Sequence, residues 1–267
     1  MRKSTKQKLS AIEKTLEILV TFADNNRELG TVEVSELTGF HKATTSRILS
    51  TLLDYGLVSQ EDRTKKFNLG PLAYRLGVSK TSQSIQAFVD VTKPRIDLLR
   101  DKINETISLE VWTGNNTVAC YLAESRNPLR VAMLPADVLP LHAPAGAKAI
   151  LSFLCVDQIN RLLDEELESY TEKTITLRDE LHDRLVQYNK QGYAVDNEEL
   201  HPGIYAIGVP VFDYLHKPVA AIVAVMPATR MSEKREEEIV SELRRTSRYV
   251  ANEINQKRSL YPYHHCY

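Results

Sequence analysis

The chain has 267 residues, of which 43% are hydrophobic and 26% charged, and its formal net charge is -1. That is enough length for one large domain or two ordinary ones, and the composition is that of a folded globular chain, not a disordered or fibrous one. No run of about eighteen apolar residues occurs, and no apolar stretch follows the basic start MRKSTKQKLSAIEK. Neither a membrane-spanning helix nor a secretory signal is therefore expected. The three cysteines, Cys120, Cys155 and Cys266, have no motif spacing and an odd count. This gives no disulfide framework and points to a reducing cytoplasm.

The small net charge hides an asymmetry. Residues 1–80 carry 13 Lys+Arg against 9 Asp+Glu, a net of +4, and the remainder carries 21 against 26, a net of -5. A basic front on an acidic body suits a phosphate-contacting module joined to a domain with another task. Arg2, Lys3, Lys6 and Lys8 supply four of the positive charges and would serve equally as a solubilising tail.

From Ser10, a candidate cap, Ile12, Leu16, Leu19 and Val20 recur at helical spacing, and the turn-rich ADNNREL closes the segment. TVEVSELTG reads as a short second helix with Thr31 as cap, Val34 and Leu37 on one face, and Gly39 as the stop. A third helix begins near His41. At 100° per residue it gathers Thr45, Ile48, Leu49 and Leu52 on one side and Ala43, Ser46, Arg47 and Ser50 on the other. Two helices around a Gly-containing turn are the geometry of a helix-turn-helix, and a small polar outward face can approach a major groove. LVSQ and KFNL then read as two strands of a hairpin, a wing, with Arg63, Lys65 and Lys66 near its tip. An ordinary helical subdomain with a hairpin would show the same elements. The conjunction of short second helix, small outward face, basic-tipped hairpin and basic tail favours DNA binding.

Residues 71–84 read as a linker helix and about 85–104 as the first helix of a second domain, with Pro94 expected to kink or restart it. Leu72, Leu76 and Val78 of the linker would pack on the body or on a second subunit. The period then changes: TISLEVWT, GNN and TVACYLAES form a strand hairpin, and LRVAML a third strand. APAGAKAILSFL is helical, as are about 157–168 and 177–191, the latter ended by Gly192. YAVD, YAIGVPVF and VAAIVAVM are strands, and SEKREEEIVSELRRTSRYVANEINQ is a long terminal amphipathic helix. This is an α+β domain, with the sheet expected to be covered on one face.

His142 and the run DNEELH (Asp196, Glu198, Glu199, His201) are the polar residues that enzyme chemistry would use. DNEELH lacks the helical spacing of a two-His metal site, and the chain contains neither a phosphate-cradling Gly loop nor a Gly-x-Ser-x-Gly elbow. DNEELH is read as a polar surface loop, and the C-terminal YHHCY, although metal-capable in composition, as a mobile tail. No catalytic residue, metal or cofactor is expected.

HKATTSRILSTLLDYGLV followed by KFNLGPLAYRLG resembles the winged helix of IclR-type transcriptional regulators, whose third helix commonly reads Lys-Ser-Thr-x-x-Arg-Leu-Leu and whose wing closes with Tyr-x-Leu-Gly. Lys42, Thr44 and Arg47 match, whereas Ala43 stands for the usual Ser and Phe67 for the Tyr. LPLHAPAGAKAIL, GYAVDNEELHPGIYAIGVPVFD and PVAAIVAVMPATRMS are similar to the signature blocks of that family's GAF-like effector-binding domain, so the resemblance covers about residues 10–256.

It implies a winged helix-turn-helix over 1–70, a linker helix over 71–84, a GAF-like domain with an antiparallel sheet over 85–257 and a tail over 258–267. It implies double-stranded operator DNA and a small-molecule effector as partners, and a dimer or tetramer. Lys42, Ala43, Thr44, Ser46 and Arg47 would face the groove, with Arg63, Lys65 and Lys66 on phosphate. The effector cavity would be lined by Ala136, Asp137, Asp196, Ala206, Val223 and Val225. The last three present only methyl groups, and two of the others are acids. An effector more apolar than a short hydroxylated acid is therefore expected, aromatic or amide-bearing, with Trp112 or Tyr205 nearby. The alternative is a small-molecule enzyme whose front domain only assembles subunits.

Overall fold

A computed structural model of the chain describes residues 9–25, 27–77, 80–131, 138–163 and 166–256. It divides into two compact units, Met1–Ser82 and Gln83–Tyr267.

The first unit contains α1 (Ala11–Asn25), α2 (Thr31–Thr38), α3 (Lys42–Asp54), β1 (Val58–Gln60), β2 (Phe67–Leu69) and α4 (Pro71–Gly77). Ser10 caps α1 reciprocally: its Oγ accepts the Glu13 N–H at 3.2 Å, and its own N–H donates to Glu13 Oε2 at 2.6 Å. The stripe that marks α1 in the sequence is not the one it buries. Ile12, Leu16 and Val20 are exposed, and Ile18 and Phe22 pack inward with Leu29, Val34, Ile48, Leu49 and Leu52. The second helix starts one residue earlier than its Thr suggests. Gly30 is the cap, Glu33 Oε2 accepts its N–H at 2.8 Å, and Leu37 faces outward while Val34 is buried. Gly39 ends α2 at φ 69°, the left-handed conformation expected of it.

The apolar face of α3 holds Thr45, Ile48, Leu49 and Leu52 as predicted, each inward in the small core. Each fully buried Leu, Ile or Phe there contributes about 1.5–3 kcal/mol. β1 and β2 pair antiparallel, and Leu29, read as turn sequence, bridges Phe67 through bonds of 3.0 and 2.9 Å. Phe67 is buried in that core, so the ring that replaces the family's Tyr leaves no hydroxyl in need of a partner.

At the base of the wing Gly70 donates to the Leu57 carbonyl at 2.8 Å. A Cβ on Gly70 would sit 2.4 Å from the Gly56 oxygen and 2.9 Å from the Val58 oxygen, both backbone atoms. Gly70→Ala is expected to cost about 1–3 kcal/mol, like other overpacking changes, and to lower the thermal midpoint of the first unit by several degrees. A melting curve superimposable on the parent's would contradict this.

α5 (Lys80–Ile103) runs through Pro94 as one helix, so no restart occurs at the proline. The second unit then contains β3 (Thr106–Trp112), β4 (Thr117–Ala123), β5 (Val138–Leu139), α6 (Ala145–Leu151), α7 (Val156–Leu162), α8 (Arg178–Gln191), β6 (Ala194–Asn197), β7 (Ile204–Phe212), β8 (Pro218–Pro227) and α9 (Glu233–Gln256). The six strands form one antiparallel sheet in the order β5-β4-β3-β8-β7-β6. Residues 129–131 of LRVAML are not strand and 132–134 lie outside the described residues, and the edge strand is β5. α7 stops at Leu162, well short of 168.

Both faces of the sheet are covered, not one. Ile107, Leu109, Val111, Ile207, Val209, Ile222 and Ala224 pack against Phe88, Ile96 and Leu99 of α5 and Ile239, Leu243 and Val250 of α9. Ala206, Ala221, Val223 and Val225 face α6, α7 and α8 through Ala145, Ala149, Ile159, Leu181 and Leu185. This accounts for the near-continuous apolar runs of β7 and β8, which have no solvent face to supply polar residues. α6 comes close because β7 has Gly208 beneath it, where a Cβ would lie 2.6 Å from the Ala145 oxygen.

Candidate nucleic-acid interface and effector site

On α3, Lys42, Ala43, Ser46 and Arg47 are exposed and Thr44 is half-buried. His41 precedes them as N-cap, its Nδ1 accepting the Ala43 N–H at 3.3 Å. The turn before it is fixed by the Ser35 hydroxyl, which donates to the Phe40 carbonyl at 2.6 Å. The outward surface is therefore rigidly mounted, narrow and lightly charged. At the wing, Arg63 and Lys65 are exposed at the tip, Lys65 in the left-handed conformation at φ 56°. Lys66 is turned back to α2, 3.4 Å from Glu33, which also binds Arg27 at 2.8 Å. The Arg27 hydrogen bond, the Gly30 N–H and the Lys66 charge together hold the Glu33 carboxyl far down, at about 2. Lys66 thus ties the wing to α2, and Arg63 and Lys65 are the residues of the predicted trio left pointing outward.

In the second unit four of the six predicted effector residues, Asp196, Ala206, Val223 and Val225, line one cavity of about 120 Å³. Strand register explains their meeting: Asp196 on β6 lies opposite Ala206 on β7, and Ala206 opposite Val225 on β8. Ala136 and Asp137 lie outside the described residues. Val131, Leu139, Pro144, Ala145, Leu200, His201 and Ile204 complete the wall, together with Glu110. Trp112 belongs to the core on this face of the sheet, but Tyr205 is on the other, its hydroxyl donating to Glu236 at 2.7 Å.

DNEELH is a surface loop only in part, with Asn197 and His201 exposed. Asp196 and Glu199 are buried, and Asp196 Oδ1 accepts the N–H groups of Glu199 at 2.7 Å and Leu200 at 3.3 Å. Glu199 Oε2 lies 2.5 Å from Nζ of Lys148, a fully buried lysine of α6, approaching too obliquely for an aligned hydrogen bond. The Lys148 ammonium also sits 5.7 Å from the Tyr188 ring centre. Burial pulls the Lys148 pKa below its ordinary value and pushes those of Asp196 and Glu199 up, the mutual attraction opposing each shift. Thr171 and Thr174 anchor the same loop, donating to the Glu198 and Glu199 carbonyls at 2.7 and 2.6 Å.

Two buried ionisable residues escaped the sequence reading, Lys148 and Glu110. The second is 2% exposed. Burial, and then the Asp196 charge, push its carboxyl up to about 8.

His142 is buried and structural, its Nε2 2.7 Å from the Glu168 carbonyl and its ring stacked on Tyr170. Among the described residues no group of three His, Cys, Asp or Glu is placed to hold a metal, and no helix is long and apolar enough to cross a membrane. YHHCY lies outside the described residues.

A winged helix joined to a sheet domain with a buried cavity defines a ligand-responsive DNA-binding protein. Residues 11–62 match the IclR helix-turn-helix domain, and residues 82–252 match the family described as bacterial transcriptional regulator IclR C-terminal. The chain belongs to the IclR family of transcriptional regulators. It is 30% identical over 228 residues to the regulator BhcR of Paracoccus denitrificans, covering 85% of this chain and 81% of that one. It is likewise 30% identical over 247 residues to the regulator KdgR of Escherichia coli, covering 92% and 93%. An IclR homolog from Microbacterium hydrocarbonoxydans, solved in complex with 4-hydroxybenzoate, shares the fold at a TM-score of 0.74 and 17% identity, over 92% of this chain and 100% of that one.

Proposed function

We propose that this regulator acts in the cytoplasm as a homo-oligomer, a dimer or tetramer, on a two-half-site operator, and releases or tightens its grip when an effector fills the cavity beside Asp196. Lys42, Ala43, Thr44, Ser46 and Arg47 meet the groove, and Arg63 and Lys65 meet phosphate. One winged helix makes few contacts, and a second copy multiplies them through effective concentration. The exposed apolar Ile12, Leu16 and Val20 of α1 and Leu76 of α4 supply surface for that copy. The effector shifts operator affinity by binding one arrangement of the paired winged helices better than the other.

The observation that carries the effector site is the convergence of Asp196, Ala206, Val223 and Val225 on one cavity whose lining is otherwise mostly apolar. That lining favours a ligand with a compact apolar body over a short hydroxylated acid.

Phosphate contacts make DNA affinity fall steeply with salt. Titration of the chain against its own upstream DNA at rising salt is expected to show that slope. Salt-independent or absent binding would favour the enzyme alternative, in which the front unit only assembles subunits.

A further inference from the structure

We propose that the effector of this site carries a protonated amine, received by the carboxylate of Glu110. The inference rests on the effector-site reading above and names the head group that it leaves open.

The geometry around Glu110 is a built receptor for a missing partner. Its Oε2 has no hydrogen-bond partner among the described residues, and the side chain is 2% exposed while forming part of the cavity wall. A buried carboxyl oxygen without a partner is costly to keep, and a ligand donor relieves that cost. The pairing of β3 with β4 slips at this residue. Leu109 faces Tyr121 but Glu110 faces Ala119, which leaves Cys120 as an extra residue on β4. A bulge of this kind re-aims a side chain.

The space is cleared as well. The cross-strand neighbours of Glu110 are Ala119 and Ala221, and a Cβ on Gly146 would lie 2.0 Å from Glu110 Oε2. Three of the smallest residues surround one carboxyl group.

Charge selects the head group. Among the described residues the cavity wall contains two carboxyls, Glu110 and Asp196, and the imidazole of His201, but neither Lys nor Arg. Asp196 Oδ1 is occupied by two backbone N–H groups, and Lys148, the cation of α6, is engaged with Glu199. A carboxylate effector would meet two carboxyls, whereas an ammonium brings three donors to a buried acceptor that no described residue engages. A volume of about 120 Å³, somewhat below the roughly 150 Å³ of a cavity that admits benzene, bounds the body to a small apolar group.

Among the described residues the titratable groups beside Glu110 are Asp196 from β6, Cys120 from β4 and His201 from the loop after β6. Burial and Asp196 hold its carboxyl near 8, so below that pH the acid is protonated. Binding then reads Glu110–COOH + R–NH₃⁺ → Glu110–COO⁻···⁺H₃N–R + H⁺. Amine affinity should accordingly rise with pH, by up to about tenfold per unit below the carboxyl pKa.

Three shape-matched probes test this on the full chain by ligand-observed NMR: isobutylamine, isobutyramide and isobutyrate, at pH 6.5 and 8.5. Isobutylamine is expected to bind at least about tenfold tighter than isobutyrate at pH 8.5 and to weaken at pH 6.5. Glu110→Gln should remove both the preference and the pH slope. If that variant does not fold, the parent's probe order and slope decide alone.

Isobutyrate or isobutyramide binding as well as the amine, an absent pH slope, or unchanged amine affinity in Glu110→Gln would overturn the inference. Ala206→Trp, which fills the cavity, separates the two readings. Isobutyrate binding that this variant abolishes keeps the effector site and sinks the amine. If no probe binds, or if binding survives Ala206→Trp, the site itself is wrong.

Discussion

Arg47→Ala is expected to lower specific operator affinity by about 10²- to 10⁴-fold, because each half-site loses one base-reading guanidinium worth about 1–3 kcal/mol and a dimer loses two. The prediction follows from the position of Arg47 on the exposed face of α3, opposite the buried Thr45, Ile48, Leu49 and Leu52. Since that face takes no part in the core, folding and oligomer size should match the parent, which gel filtration checks. Arg63→Ala gives a contrasting pattern. Loss of a phosphate contact at the wing tip should weaken operator and unrelated DNA alike and reduce the salt slope by about one per subunit. Unchanged operator affinity in Arg47→Ala, measured by anisotropy at fixed salt, would remove α3 from the groove.

Lys148→Met is expected to be the most destabilising single change in the second unit, costing about 3–5 kcal/mol at pH 8, because it strands Glu199 and Asp196 as buried acids without their counter-charge. The pH dependence has a definite sign. Burial already raises both carboxyl pKa values in the folded chain, and loss of the lysine raises them further. Groups whose folded pKa lies above the unfolded value contribute stability that is complete below the unfolded pKa and fades as pH rises through the folded one. The gap between variant and parent should therefore narrow from pH 8 towards pH 5 in urea unfolding. Adding Glu199→Gln to the variant should recover part of the loss. Equal cost at both pH values would mean that Lys148 contributes by packing alone.

The architecture was legible where local chemistry settles it. Ser10 at the first cap, Gly39 and Gly192 as stops, the Thr45-Ile48-Leu49-Leu52 face and the strand hairpins all follow from short-range rules. What eluded the sequence depended on long-range placement. The i, i+4, i+8 run of Ile12, Leu16 and Val20 announces a helix, but only the packed structure shows that Ile18 and Phe22 face the core. TISLEVW alternates polar and apolar as a half-exposed strand would. Its polar side, with Ser108 and Glu110, is instead roofed by helices, so the alternation marks a lined interior. Lys148 sits in an otherwise apolar helix and DNEELH is dense in charge. Both features suggest solvent until each is seen to bury the other. Asp196, Ala206, Val223 and Val225 came from the resemblance, and strand register gives the physical reason that they meet.

The contact between Gly146 and Glu110 also constrains how such a site can be inherited. With Glu110 present, any side chain at position 146 collides with its carboxyl. The glycine therefore lets the acid keep this position, and a side chain there would force the carboxyl to move. A descendant that trades Glu110 for a smaller residue removes that collision, and Gly146→Ala then still requires Val223, whose Cγ2 would lie 2.8 Å from the new Cβ, to shift. Once that second step is taken, restoring the acid meets the same collision from the other side. Changes at positions 110, 146 and 223 of this cavity are therefore coupled, and each sets how much room the others leave.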